Sequence, residues 1–251
     1  MKIRYFSAAL VLALTIAAPT AGAVNLAEES PKAQETAAAA PAADAAGTEA
    51  APAEAEKAEE DWKLLLVNPW NTLPEDFSVE LVTLASCGLK VDKRIFEDLE
   101  EMLVACREAG LRPLICSAYR TEAVQTRLYN NKIARLRAAG YGRESAAKEA
   151  GRWVAVPNTS EHQTGLALDI VSAGYQGLTK RQERTAEQKW LMEHCWEYGF
   201  ILRYPSEKNE ITGIGYEPWH YRYVGRETAL AMRDSGQCLE EYLEALESPT
   251  A

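Results

Sequence analysis

Apolar residues fall in blocks along this chain, and the period changes from block to block. Ile95, Leu99, Met102, Leu103 and Cys106 recur at helical spacing, so residues 92–110 are predicted to form a helix that Gly110 ends. Residues 111–117 make a short apolar run of strand length that feeds Tyr119 and Arg120. A second helix is predicted over 121–139, with Val124, Leu128, Ile133 and Leu136 on its apolar side and Gly140 after it. Residues 145–153 suggest a third, short helix, and 165–171 a buried strand. Further on, 185–198 is a helix stopped by Gly199, 200–204 and 219–224 are strands, and 226–233 and 239–246 are closing helices. Helices and strands mix without a regular βαβ repeat, which places the chain in the α+β class.

The pattern is absent before Trp62. Residues 24–61 are mostly Ala, Glu and Pro, too poor in large apolar side chains to offset the entropy of ordering, and read as a disordered linker. Residues 1–23 have the layout of an export signal. Lys2 and Arg4 precede an apolar run from Phe6 to Ala18, and Ala21-Gly22-Ala23 supplies small residues for cleavage. An uncleaved membrane tether is the alternative, although the run is short for a span of about 20 residues. The folded domain is therefore expected over 62–248.

The net charge is −10, and ten acidic residues against two lysines in the linker account for most of it. There is no basic run, so no nucleic-acid surface is expected. The five cysteines, Cys87, Cys106, Cys116, Cys195 and Cys238, show no close metal spacing, and unpaired thiols are favoured over a disulfide framework.

Candidate chemistry begins with Asp169, set in the otherwise apolar run Leu166-Ala167-Leu168-Asp169-Ile170-Val171. A carboxylate buried there needs a cation, either an arginine or a metal ion. Ala167 and Gly165 share its face and leave room above it. His162 lies just before this strand, and His220 lies on another. Two imidazoles and one carboxylate form a three-ligand zinc set that leaves the fourth position open, the mark of a catalytic site. Glu217, three residues before His220, is placed to exchange a proton with water at that position. Arg120, at a strand end, suits a bidentate hold on a carboxylate, and Gln125 could add an amide contact. His194 reads as structural or exposed. Its neighbour Cys195 points elsewhere on the helix, which argues against a cysteine protease.

Taken together, Ser160-x-His162-x-x-Gly165-x-Ala167-x-Asp169 and Glu217-x-Trp219-His220 resemble the paired motifs of the VanY-type D-alanyl-D-alanine carboxypeptidases. The likeness includes 115–121, 199–205 and 219–225, and covers nearly all of 64–242. It implies a single compact α+β domain shared with zinc D,D-dipeptidases and hedgehog-like domains, with a small antiparallel sheet and flanking helices. It also implies one zinc ion on His162, Asp169 and His220, Glu217 as catalytic base, and Arg120 at the substrate carboxylate or developing negative charge. Gln125, Ser160 and Tyr204 match substrate-contacting positions. Asn158 stands where the pattern has Gly, and Asn tolerates a left-handed backbone.

The expected protein is thus an exported, monomeric metallopeptidase acting on peptidoglycan stem peptides or precursors. An L,D-carboxypeptidase acting on tetrapeptide stems, a D,D-dipeptidase and a non-catalytic zinc-bearing wall-binding module are the competing readings. The export signal argues against a dipeptidase acting on cytoplasmic D-Ala-D-Ala, and Glu217 and Arg120 argue against the binding module.

Overall fold

The computed structural model describes residues 62–248, so the predicted leader (1–23) and linker (24–61) lie outside the described residues. A four-stranded antiparallel sheet carries the architecture. Its strands are β3 (Pro113–Ser117), β4 (Ala167–Ser172), β5 (Phe200–Leu202) and β6 (His220–Tyr223), in the order β3-β4-β6-β5. A two-stranded hairpin, β1 (Leu81–Thr83) with β2 (Lys90–Asp92), stands apart from it. The helices are α1 (Phe96–Glu108), α2 (Glu122–Ala138), α3 (Arg143–Gly151), α4 (Ala186–His194), the single turn α5 (Asn209–Thr212), α6 (Arg226–Ser235) and α7 (Leu239–Glu247). The fold is α+β, as the mixed periodicity predicts.

Alternation along the central strands divides the sheet into a core face and a site face. Leu168 and Ile170 of β4 and Tyr221 and Tyr223 of β6 pack with Leu99, Met102 and Leu103 of α1 in the main core. Ala167 and Asp169 of β4, with His220 and Arg222 of β6, belong to the other face and are buried as well. A smaller core joins Ile201 and Val224 to Ala229, Met232 and Leu239.

Several predicted boundaries shift. The first helix opens as a 3-10 turn, Lys93–Ile95, and the helix predicted over 185–198 ends as another, Cys195–Tyr198, before Gly199. The apolar side assigned to α2 is only partly buried, with Val124, Ile133 and Leu136 half-covered. The only fully buried residue of the helix is Gln125, while Leu128 is exposed and lines a cleft. All five cysteines are free thiols.

Candidate metal centre and active site

The register of the sheet brings the first two candidate ligands together. Asp169 of β4 stands directly opposite His220 of β6. Such cross-strand neighbours share a face within side-chain reach. On the other side of β4, Asp169 faces Ser117, after a register shift at Cys116 that lets the chain turn toward Arg120. His162 comes from the 3-10 turn Glu161–Gln163 that precedes β4. That turn is fixed by the Arg120 N–H, which donates to the His162 carbonyl at 2.9 Å, and by the Asp92 N–H, which donates to the Gly165 carbonyl at 3.0 Å. Gly165 has φ +78°, and an added Cβ would lie 2.8 Å from the Asp92 nitrogen, so no side chain fits there.

Asp169 Oδ1 lies 3.3 Å from His162 Nε2 and 3.2 Å from His220 Nδ1, and the three donor atoms fall within 4.8 Å of one another. Zinc–ligand bonds of about 2.0–2.2 Å in a tetrahedron put donor atoms roughly 3.3–3.5 Å apart, so the two separations from Asp169 suit that ion. The outer ring nitrogens are occupied. His162 Nδ1 contacts the Ala118 carbonyl at 2.8 Å, which fixes Nε2 as the free donor. His220 Nε2 lies 3.4 Å from Glu161 Oε2, which leaves Nδ1 toward Asp169.

Electrostatics favour a cation at this point. Burial and the nearby Arg120 push His162 down to about 4, so its imidazole is neutral and able to ligate. Burial works against the charge on His220, yet its hydrogen bonds to Asp169 and Glu161 raise it to about 9. Burial would raise Asp169 too, but the surrounding cationic groups, with the Arg120 guanidinium at 2.6 Å, hold it well below the usual carboxylate range.

Arg120 donates through Nε to Ser117 Oγ (2.9 Å), through one terminal nitrogen to Gln125 Oε1 (3.2 Å) and through the other to Asp169 Oδ2 (2.6 Å). Asp169 therefore has the arginine partner and the metal-facing geometry at once. A guanidinium has five N–H donors, so two remain for a ligand in the cleft that Arg120 lines. Gln125 is fully buried, and its amide nitrogen donates to the Ala155 carbonyl at 2.7 Å. It meets the cleft only through Arg120. Ser160 and Tyr204 both line the cleft, and the Tyr204 ring lies 4.7 Å from that of His220.

Glu217 Oε2 is 3.8 Å from His220 Nδ1, at the mouth of the cluster. Burial is the main cause of its rise to about 8, although His220 opposes it. The cleft around these groups has a volume of about 870 Å³. Such a space accommodates several peptide residues. Cys116 also lines it, and its thiol contacts the Asp169 carbonyl at 3.4 Å. His194 lies away from the site and pairs with Glu197 at 2.7 Å.

The sequence reading missed what stands behind His220. Glu161 is completely buried, and its Oε1 accepts from Arg203 Nε at 2.7 Å and from Arg222 at 2.8 Å. Arg203 also forms a two-pronged pair with Glu240, at 2.9 and 2.7 Å. Burial acts to raise Glu161, but the two arginines hold it ionised. Two arginines placed in apolar strand segments were the available signal, by the same logic that singled out Asp169.

Residues 88–226 match the family model described as VanY, D-alanyl-D-alanine carboxypeptidase. A D-alanyl-D-alanine carboxypeptidase of Enterococcus faecalis is 45% identical over 185 residues, 74% of this chain and 67% of its own length. Among solved structures, VanYB in complex with D-alanine-D-alanine is similar with a TM-score of 0.67 and 45% identity, over 73% of this chain and 98% of that one. A mutant of the vancomycin-resistance D,D-pentapeptidase VanY, in complex with Zn(II), gives a TM-score of 0.66 and 44% identity, over 72% and 99%.

Proposed function

The chain belongs to the VanY D-alanyl-D-alanine carboxypeptidase family, and from that premise we propose that it is a zinc carboxypeptidase that removes the terminal D-alanine from peptidoglycan stem peptides ending in D-Ala-D-Ala. The observation that carries this reading is the meeting of His162 Nε2, Asp169 Oδ1 and His220 Nδ1, with Glu217 beside them in an open cleft.

Bound zinc would supply a Lewis acid that polarises the scissile carbonyl and makes water acidic at that point. His162, Asp169 and His220 would hold it. Glu217 accepts the proton of the attacking water and later delivers it to the departing amine. Its buried position, which favours the protonated form, suits the second half of that cycle. Arg120 anchors the substrate's terminal carboxylate or the developing oxyanion with its two remaining donors. Ser160 and Tyr204 contact the peptide from the cleft wall. The apolar leader supports action outside the cytoplasmic membrane, with 24–61 as a spacer for the domain at 62–248.

Incubating the purified protein with pentapeptide and tetrapeptide stems, with and without a chelator, tests this by mass measurement. Loss of one alanine from the pentapeptide, abolished by the chelator, is the expected result. Loss from the tetrapeptide alone would make the enzyme an L,D-carboxypeptidase. Absence of any chelator-sensitive loss would leave a binding module.

A further inference from the structure

We propose that the outer part of the cleft is a carboxylate-binding subsite, formed by Lys132, Arg135 and Lys180, for substrate residues that precede the scissile bond. This rests on the activity proposed above and extends it from the bond cut to the peptide recognised.

Leu128, Asn131, Lys132 and Arg135 of α2 all line the cleft. Their spacing of i, i+3, i+4 and i+7 puts them on one helix face. Gln125 stands one turn earlier on that face and is bonded to Arg120, so the row runs outward from the arginine assigned to the substrate's end. At a rise of 1.5 Å per residue, Lys132 and Arg135 lie about 10 and 15 Å along the helix from Gln125. An extended peptide advances about 3.3 Å per residue, so for a peptide that runs along α2 these cations would stand beside residues roughly three to five positions before the C-terminus. Lys180 also lines the cleft, from the segment after β4.

Charge placement distinguishes this wall from an ordinary solvated face. Among the described residues, the carboxylates that line the cleft are Glu161, Asp169 and Glu217, all at the metal-binding end. Lys132, Arg135 and Lys180 form no ion pair with any described residue, although the chain as a whole has a net charge of −10. Two of the cations sit over aromatic rings that also line the cleft. Lys132 Nζ is 5.7 Å from the Trp153 ring and Lys180 Nζ is 5.7 Å from that of Tyr216. Trp153 in turn packs onto Gly215, where a Cβ would come within 2.8 Å of the ring. Glu149 bonds to the Trp153 indole at 2.9 Å and Glu183 to the Tyr216 hydroxyl, yet neither pairs with a cation among the described residues, and three cations without a direct ion pair fit a peptide with free carboxylates upstream of the bond, not the amidated form.

The test uses two peptides of one sequence ending in D-Ala-D-Ala, with the upstream carboxylates free in one and converted to carboxamides in the other. Binding is measured by calorimetry on zinc-loaded Glu217→Ala protein, and turnover by D-alanine release from the wild type. The carboxylate peptide is expected to bind about five- to tenfold more tightly at low salt, with the difference in KM rather than kcat. The ratio should fall toward one in roughly 0.5 M salt and in the triple variant K132Q/R135Q/K180Q. Equal binding of the two peptides, or a triple variant that keeps the preference, would overturn the subsite. If neither peptide is cut by the wild type, the proposed activity fails while the binding ratio still decides the subsite.

Discussion

Asp169 answers to two cations, Arg120 through Oδ2 and the metal position through Oδ1. A single carboxylate therefore links the group assigned to substrate anchoring with the group assigned to ligation. Glu217 has a separate task, and the two can be told apart by substitution. Glu217→Ala is expected to bind zinc normally by elemental analysis while kcat falls about a thousandfold. Glu161 acts one step back, as a positioning residue for His220. Glu161→Gln weakens the hold on His220 Nε2 and leaves Arg203 and Arg222 short of one negative partner. Zinc affinity, measured by chelator competition at a temperature where the far-ultraviolet dichroism is unaltered, should drop about 10- to 100-fold. An unchanged affinity would show that His220 is oriented without it. At this scale Asp169 stood out because it interrupts an apolar run, and His162 and His220 because histidine is rare in this chain. Asp169, His162, His220 and Glu217 could be named in advance. Glu161 could not, because nothing in its local sequence shows that two arginines from distant strands meet it.

Elements with a strong period were legible, and the short hairpin strands were not. α1 has five apolar residues at regular spacing, and its packing against Leu168 and Ile170 follows from them. The three-residue strands β1 and β2 carry too few alternations to stand out. For α2, apolar spacing found a side that is only partly buried, with Val124, Ile133 and Leu136 half-covered and Leu128 exposed in the cleft, and it missed buried Gln125, whose role is polar, in contact with Arg120. Asn158, the one described non-glycine residue at positive φ (67°), shows the expected tolerance of Asn for a left-handed turn. The tie between α7 and the segment after β5 is ionic, through Glu240 and Arg203. Burial tends to raise Glu240, but Arg203 outweighs it, and the carboxyl is lowered in the folded chain. Its stabilisation is thus complete above the ordinary carboxylate value of about 4.5 and is lost as pH falls from there through the lowered folded value. Glu240→Gln should cost roughly 3 kcal/mol at neutral pH and flatten this part of the acid-unfolding profile, as read from denaturant midpoints between pH 7 and 3. An unchanged profile would mean that the pair contributes nothing to holding α7.

Over the whole molecule, one sheet serves two purposes. Its core face secures the fold through Leu168, Ile170, Tyr221 and Tyr223, and its other face carries Asp169 and His220 in register. The class, and the three side chains that the fold brings together, were readable from the chain because both depend on alternation and on rare residue types. The depth of the cleft and the cationic row along it depend on how α2 lies beside the sheet, which no local pattern encodes. Anomalous diffraction at the zinc edge, from crystals of the purified domain, tests the central claim most directly. A single peak about 2.0–2.2 Å from His162 Nε2, Asp169 Oδ1 and His220 Nδ1 is the predicted result. A peak bound by other atoms, or none from protein saturated with zinc, would contradict it.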